Sequence, residues 1–301
     1  MTAAVPHGIV VVDKPAGPTS HAIVARARKA WGTRKVGHAG TLDPLATGVL
    51  VLGLGSATRL LGHLSEQGKE YLATMVLGAA TTTDDSQGEF VSVHGARLER
   101  LDIETAMDRW RGPVRQRPSA VSAVHVDGKR AHERVRAGED VQLPERDVTV
   151  EALEILAIRH AEAGGVTVTA VDVRVACSAG TYVRALARDL GADLGVGGHI
   201  TSLRRTRSGA LTLDDACEVD DFGSAPLVAP GLVARRSLPW VEVADADVRS
   251  VSHGVRIPWP PTAPPSGTVA LLHGDHLLAL AEQRAGLARY SAVWPAEGGV
   301  G

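Results

Sequence analysis

GHAGTLDPLATGVLVLG, residues 37–53, holds a single carboxylate, Asp43, between a glycine-rich approach and an unbroken apolar run. Gly37 and Gly40 let the backbone take unusual angles or approach a ligand closely. Pro44 disfavours the α region for the residue before it, so Asp43 is expected to be extended. VLVLGLG, residues 49–55, reads as a buried strand. Two readings of Asp43 stand side by side. Asp-Pro is a common turn starter. A fixed carboxylate in an open loop beside a rigid strand is also what a lone nucleophile requires. A glycosidase would need a second carboxylate at a defined distance, and none lies in this stretch.

Outward from that loop the chain alternates short strands and helices. GIVVVDKP, residues 8–15, is a short buried strand stopped by proline. Thr19 or Ser20 caps a helix through Lys29, with Ile23, Ala27 and Ala30 on one face and Gly32 ending it. A short helix is expected over 56–64, a strand over KEYLATMVLG (69–78), and a turn at TTTDDSQG (81–88). Ile103, Ala106, Met107 and Trp110 space a helical face. Residues 166–178 alternate as a half-buried strand, and a helix is expected over 181–190 with Gly191 just beyond it. PWPPTAPPSG, residues 258–267, fits neither a helix nor a central strand. VALLHGDHLLALAE (269–282) reads as two strands joined by a Gly-Asp turn. The chain therefore divides into a large domain over 1–237 and a small, mostly β module over 238–301.

Composition bounds the function. The chain has 301 residues, 44% hydrophobic and 22% charged, as in an ordinary globular protein. No apolar run reaches the roughly 18 residues of a membrane span, and no secretory signal is read at the N-terminus. Cys177 and Cys217 lack metal-site spacing and fit a reducing cytosol. Net charge is −2, yet eight Lys/Arg stand against two acids between Arg109 and Arg136. That stretch is either a solvated loop or a phosphate-contacting surface that uses Arg115 and Arg117.

Other chemistry finds little support. Gly53-Leu54-Gly55 lacks the third glycine of a dinucleotide fingerprint. No GxSxG elbow or GxxxxGK[ST] loop occurs, and the twelve histidines are dispersed. Asp84-Asp85 sits in a Thr/Asp/Gly turn and reads as solvated turn chemistry rather than a metal pair. CSAGTYVRALARDLG, residues 177–191, sets Tyr182 and Arg184 at the mouth of a helix. Tyr182 is one of only three tyrosines, and an Arg aimed at a carboxylate orients it and favours its anion.

Taken in order, GIVVVDKPAGPTS, KVGHAGTLDPLATGVL, KEYLATMVLGAATTTDDSQG, CSAGTYVRALARDLG and HITSLRRTRSG resemble the motifs of the TruB family of pseudouridine synthases over about residues 8–215. That resemblance implies an α+β fold: a mixed, largely antiparallel sheet with flanking helices and a central catalytic cleft, plus a small C-terminal PUA-like β domain. It implies isomerisation of a uridine in the TΨC loop of tRNA (position 55) in the cytoplasm. No metal or organic cofactor is implied, nor a membrane or an obligate protein partner, and a monomer is expected. By resemblance Asp43 is the nucleophile, Tyr71 stacks on the target base and Arg184 pairs with Asp43. Tyr182, His38 and Leu203 shape the nucleotide site, while Lys14 and Pro15 are structural. Arg59, Arg115, Arg117 and Arg205 are expected to contact the RNA, with Arg204 and Arg207 adding phosphate contacts. A basic RNA-contacting insertion is placed at about 109–147. Within it Ser119, Val121, His125 and His132 depart from the family pattern, which bears on RNA grip rather than on the chemistry. A non-catalytic RNA-binding or tRNA-folding role is the competing reading, and it predicts binding indifferent to Asp43.

Overall fold

The computed structural model describes residues 6–119, 125–126, 129–130 and 143–295. Val121 and His132 lie outside them, as do the side chains of Lys129, Arg130, Arg134 and Arg136.

The chain opens with β1 (Gly8–Lys14), α1 (Ser20–Ala30), β2 (Val36–Ala39) and β3 (Thr47–Leu54). The Thr19 hydroxyl accepts from the Ala22 N–H at 3.1 Å and starts α1, which buries Ile23, Val24 and Ala27. A 3₁₀ turn and α2 (Leu61–Ser65) lead to β4 (Lys69–Leu77). β5 (Ala79–Thr81) pairs with β6 (Phe90–Val93), and α3 (Arg100–Met107) precedes β7 (Gly112–Gln116). After the two-residue β8 (His125–Val126) and β9 (Lys129–Arg130) come the long strands β10 (Arg146–Ala163) and β11 (Val166–Cys177). α4 (Val183–Asp193), β12 (Gly198–Ser208), β13 (Leu211–Thr212) and β14 (Ala216–Cys217) complete the large domain's sheet.

That sheet has ten strands in the order β14-β1-β3-β12-β4-β11-β10-β7, with β2 on β3 and β13 on β12. Only β1–β14 and β3–β12 pair in parallel, so the sheet is mixed and largely antiparallel as expected. The unbroken apolar run of β3 follows from burial on both faces. Leu50, Leu52 and Leu54 join Val12, Met75 and Val173 in one core. Val49 and Val51 join Ile9 and Val11 in a second, which continues into the C-terminal residues Leu272, Leu277, Leu280 and Trp294.

Those residues belong to the small β module. Helix α5 (Pro230–Ser237) connects to it, and β15 (Trp240–Glu242), β16 (Val269–His273), β17 (His276–Arg284) and β18 (Leu287–Val293) form its sheet, with α6 (Asp245–Ser252) alongside. Gly274 and Asp275 make the expected turn between β16 and β17. One expectation changes. Gly191 lies inside α4, not beyond it, and a Cβ there would meet the backbone of Gly197 and Gly198 at 2.3 Å. It is a packing glycine where helix and chain cross, not a helix stop. Among the described residues no helix is long and apolar enough to cross a membrane.

Candidate active site

Asp43 sits on a loop that two buried cations hold from below. Lys14 Nζ donates to the carbonyls of Ala46 at 2.6 Å, Pro15 at 2.9 Å and Pro44 at 3.4 Å. Arg205, 1% exposed, donates through Nε to Val49 O at 2.7 Å and through its Nη atoms to Gly40 O at 3.1 Å and Thr41 O at 3.5 Å. Ser20 Oγ donates to Leu42 O at 3.0 Å and accepts from Leu42 N–H at 2.8 Å. The Gly17 N–H donates to Pro44 O at 2.8 Å. The loop's carbonyls thus find buried donors, as water-excluded backbone must. Burial lowers the Lys14 ammonium to about 8, the Asp43 charge opposing and Arg205 reinforcing the shift.

Glycine matters here at two positions. Gly40 has φ +87° and Gly48 has φ +97°, and a Cβ on Gly48 would lie 2.1 Å from the Arg205 carbonyl oxygen. β3 and β12 therefore touch backbone to backbone directly behind the carboxylate. Gly37, expected to share this role, is an ordinary strand residue of β2 whose missing Cβ makes room for Leu61.

Arg184 enters from the first turn of α4 and is 5% exposed. Its Nε lies 3.0 Å from Asp43 Oδ2, while Nη1 donates to Thr83 O at 2.9 Å and lies 3.4 Å from Asp85 Oδ2. Asp85 is buried and accepts from Thr83 Oγ1 at 2.5 Å and Gln87 N–H at 3.0 Å. Its neighbour Asp84 pairs with Arg188 at 3.1 Å. The expectation of a solvated Asp84-Asp85 turn is therefore corrected: both acids face arginines of α4, and Asp85 orients the one that holds Asp43.

Above the carboxylate lies a cavity of about 410 Å³, lined by Asp43, Tyr71, Tyr182, Arg184 and Leu203 among others. Tyr71 is nearly buried, and burial pushes its phenol up against the opposing charge of Arg205. Tyr182 is half-buried and its phenol is likewise raised by burial. Gln116 clamps its backbone, accepting from Tyr182 N–H at 2.7 Å and donating to Tyr182 O at 3.0 Å. Asp43, with 38% of its side chain exposed, is the carboxylate that opens into this cavity. An aromatic wall, an oriented carboxylate and an apolar shoulder suit a flat ring held beside Asp43.

The structure does not bring every expected residue here. His38 packs edge-on against His21, ring centroids 5.4 Å apart, and does not line the cavity. Arg59 is exposed but donates to Val293 O and lies 6.0 Å from the Trp294 ring, so it fastens the C-terminal module instead of facing the cavity. Arg205 lines the cavity floor, but its donors are spent on loop carbonyls rather than on phosphates. Arg204 pairs with Asp13, and Arg207 donates to Gly209 O at 3.1 Å. The described part of the basic stretch is partly neutralised. Arg115 lies 3.2 Å and Arg117 3.5 Å from Glu145, Arg111 pairs with Asp108, and Arg109 lies 3.9 Å from Asp193. Such exposed pairs are weak and yield readily to a phosphate.

Sequence reading missed Asp85, Lys69, Gln116 and Arg146. Lys69 carries a signal, since it stands two residues before Tyr71 on one strand and shares its face. It is buried at the cavity edge, donates to Gln67 O at 2.5 Å, and is lowered to about 8 by burial, with Arg205 adding to the shift. Among the described residues no cluster of His, Cys, Asp and Glu is placed to hold a metal.

Two family domains cover most of the chain. Residues 28–183 match the N-terminal domain of the TruB family pseudouridylate synthases, and residues 184–230 match the tRNA pseudouridylate synthase B C-terminal domain. The tRNA pseudouridine synthase B of Corynebacterium efficiens is 52% identical over 82% of this chain and 83% of its own length. That of Streptomyces avermitilis is 47% identical over 96% of this chain and 97% of its own. A solved structure of an H/ACA RNP bound to a substrate RNA containing 2'-deoxyuridine superposes with a TM-score of 0.72 at 27% identity, covering 96% of this chain and 85% of that one. With two consecutive family domains and relatives of this similarity along nearly its whole length, the chain belongs to the TruB family of pseudouridylate synthases.

Proposed function

We propose that the chain isomerises a uridine in the TΨC loop of tRNA to pseudouridine, with Asp43 as the reacting carboxylate. The observation that carries this reading is Asp43 held 3.0 Å from a buried Arg184 and opening into a cavity walled by Tyr71. Relatives named tRNA pseudouridine synthase B support the substrate class.

The target uridine must leave its stack before its glycosidic bond becomes reachable. Tyr71 offers the extruded base a flat apolar face, a contact worth about 1–3 kcal/mol. The N1–C1′ bond then breaks with its electrons staying on the uracil, the uracil turns, C5 bonds to C1′, the C5 proton leaves to solvent, and N1 takes up a proton from solvent. Asp43 serves by attack on the sugar, by attack on the base, or by taking a sugar proton. Each route uses the carboxylate anion, which the Arg184 guanidinium stabilises and aims. Leu203 and Tyr182 confine the base while it turns. Arg115 and Arg117 supply part of the salt-dependent grip on the RNA backbone. The same reading has the chain acting on tRNA in the cytoplasm, as a monomer without an obligate partner.

The test is tritium release from a tRNA transcript carrying [5-³H]uridine. The wild type is expected to release tritium at one TΨC-loop position. Asp43→Asn is expected to release none while retaining most of its tRNA affinity. Near-normal release by Asp43→Asn would remove Asp43 from the chemistry. No release by either protein, with tight binding by both, would favour a non-catalytic RNA-binding role.

A further inference from the structure

We propose that Arg146 grips a backbone phosphate beside the extruded nucleotide and so sets that nucleotide's position over Asp43; this rests on the function proposed above. Four cations line the cavity: Lys69, Arg146, Arg184 and Arg205. Three are committed to the protein. Arg184 serves Asp43, Asp85 and Thr83, Arg205 serves the carbonyls of Gly40, Thr41 and Val49, and Lys69 serves the carbonyls of Ser65 and Gln67. Among the described residues Arg146 touches the Tyr182 ring, 5.9 Å from guanidinium carbon to centroid, and pairs with no carboxylate or carbonyl.

Its isolation follows from strand geometry. Glu145 and Asp147 flank it in sequence, yet side chains alternate along an extended chain. Both acids turn to Arg115, and Glu145 also to Arg117, which leaves Arg146 on the cavity side. The backbone that carries this ring is anchored, because Gln116 holds Tyr182 through both its N–H and its carbonyl. A guanidinium lying over a ring on an anchored backbone has fewer orientations to lose, and its planar fork matches two phosphate oxygens. The same rim carries Gly180 at φ +83° with open space where a Cβ would stand, so an RNA backbone can approach closely. The faces that would hold the uracil belong to other residues, Tyr71 and Leu203, whereas every nucleotide brings its own phosphate to the rim.

The test is a mutant cycle against the RNA. Stem-loop substrates carry a neutral methylphosphonate on the 5′ or the 3′ side of the target uridine, and single-turnover tritium release is measured with the full chain. One of the two substitutions is expected to slow the wild type roughly 10- to 150-fold, as loss of a charge-assisted hydrogen bond does. Arg146→Ala is expected to show a similar loss on unmodified RNA and no further loss on the neutralised one. Its affinity should change less than threefold, because distant phosphate contacts dominate binding. Arg146→Lys, which keeps the charge and not the fork, should recover part of the rate and serves if the alanine variant melts early. An Arg146→Ala enzyme of wild-type rate would overturn the proposal. So would one as sensitive to the neutral phosphate as the wild type, which would assign Arg146 to a uracil carbonyl or to support of Tyr182. A wild type inactive on every RNA would overturn the function itself and this inference with it.

Discussion

Replacing Asp85 by Asn isolates the support of the proposed reacting carboxylate, Asp43, from the carboxylate itself. Asp85 Oδ1 accepts from Thr83 Oγ1 and Gln87 N–H, and an Asn oxygen keeps both bonds. The other oxygen faces Arg184 Nη1 at 3.4 Å, where Asn would present an N–H₂ group, donor against donor. Two effects then compete. Loss of the second acid lets the guanidinium pull more strongly on Asp43. Loss of one of its anchors also lets it turn. The Nε contact to Asp43 at 3.0 Å exists in both proteins, so the first effect adds little, and the lost anchor decides the outcome. The contact is an ion pair at 3.4 Å rather than an aligned hydrogen bond, so its loss falls near the low end of the about 1.5–3 kcal/mol of a charge-assisted hydrogen bond. The expected result is a roughly tenfold drop in single-turnover rate with tRNA affinity within threefold of wild type. Asp84→Asn is the control, because Asp84 meets Arg188 and not Arg184. Tritium release and filter binding read both quantities. An Asp85→Asn enzyme within twofold of the wild-type rate would refute the anchoring argument, and so would a loss confined to affinity.

Three further outcomes follow from the same geometry. Gly48→Ala combines a left-handed backbone with a Cβ 2.1 Å from the Arg205 carbonyl, whereas Gly180→Ala meets open space at a similar φ. Strain of about 1–3 kcal/mol acts in both and overpacking of about 1–3 kcal/mol in the first alone, so calorimetry should show Gly48→Ala melting several degrees below Gly180→Ala; equal melting would deny the close approach. Reversing Arg115 and Arg117 to Glu should weaken tRNA binding and reduce its salt slope by about two, and an unchanged slope would take both off the interface. Lys69 titrates near 8 when folded against 10.5 as the ordinary value, so between those pH values the unfolded chain holds more protons and stability gains with rising pH. Wild type should therefore gain on Lys69→Met in urea unfolding from pH 8 to 10.5, and a constant difference would contradict the lowering of Lys69 by burial.

What could be read ahead of the structure divides by how far each residue's constraint reaches along the chain. Asp43 was legible because Pro44 and Gly40 act on its own backbone, and β3 was legible because burial on both faces leaves an unbroken apolar run. Asp84-Asp85 gave its turn correctly and its direction wrongly, since the arginines that bury it come about a hundred residues later on α4. Gly191 read as a helix stop because its real cause, the backbone of Gly197 and Gly198, is visible only once the chain doubles back. The basic stretch counted eight cations against only two acids because Glu145, Asp147 and Asp193 lie outside residues 109–136 in sequence and beside them in space. Arg205 is the instructive case, for Arg204, Arg205 and Arg207 look like one cationic run. Strand alternation already separates them: Arg205 must share a face with Leu203, and Leu203 was expected at the nucleotide site. An arginine on that face has either a substrate phosphate or loop carbonyls to bond. The choice falls to the carbonyls because Gly48 brings β12 against β3 at the one place where a side chain would hold them apart. The close approach at Gly48 thus goes with an arginine that serves as the buried clamp beneath the carboxylate.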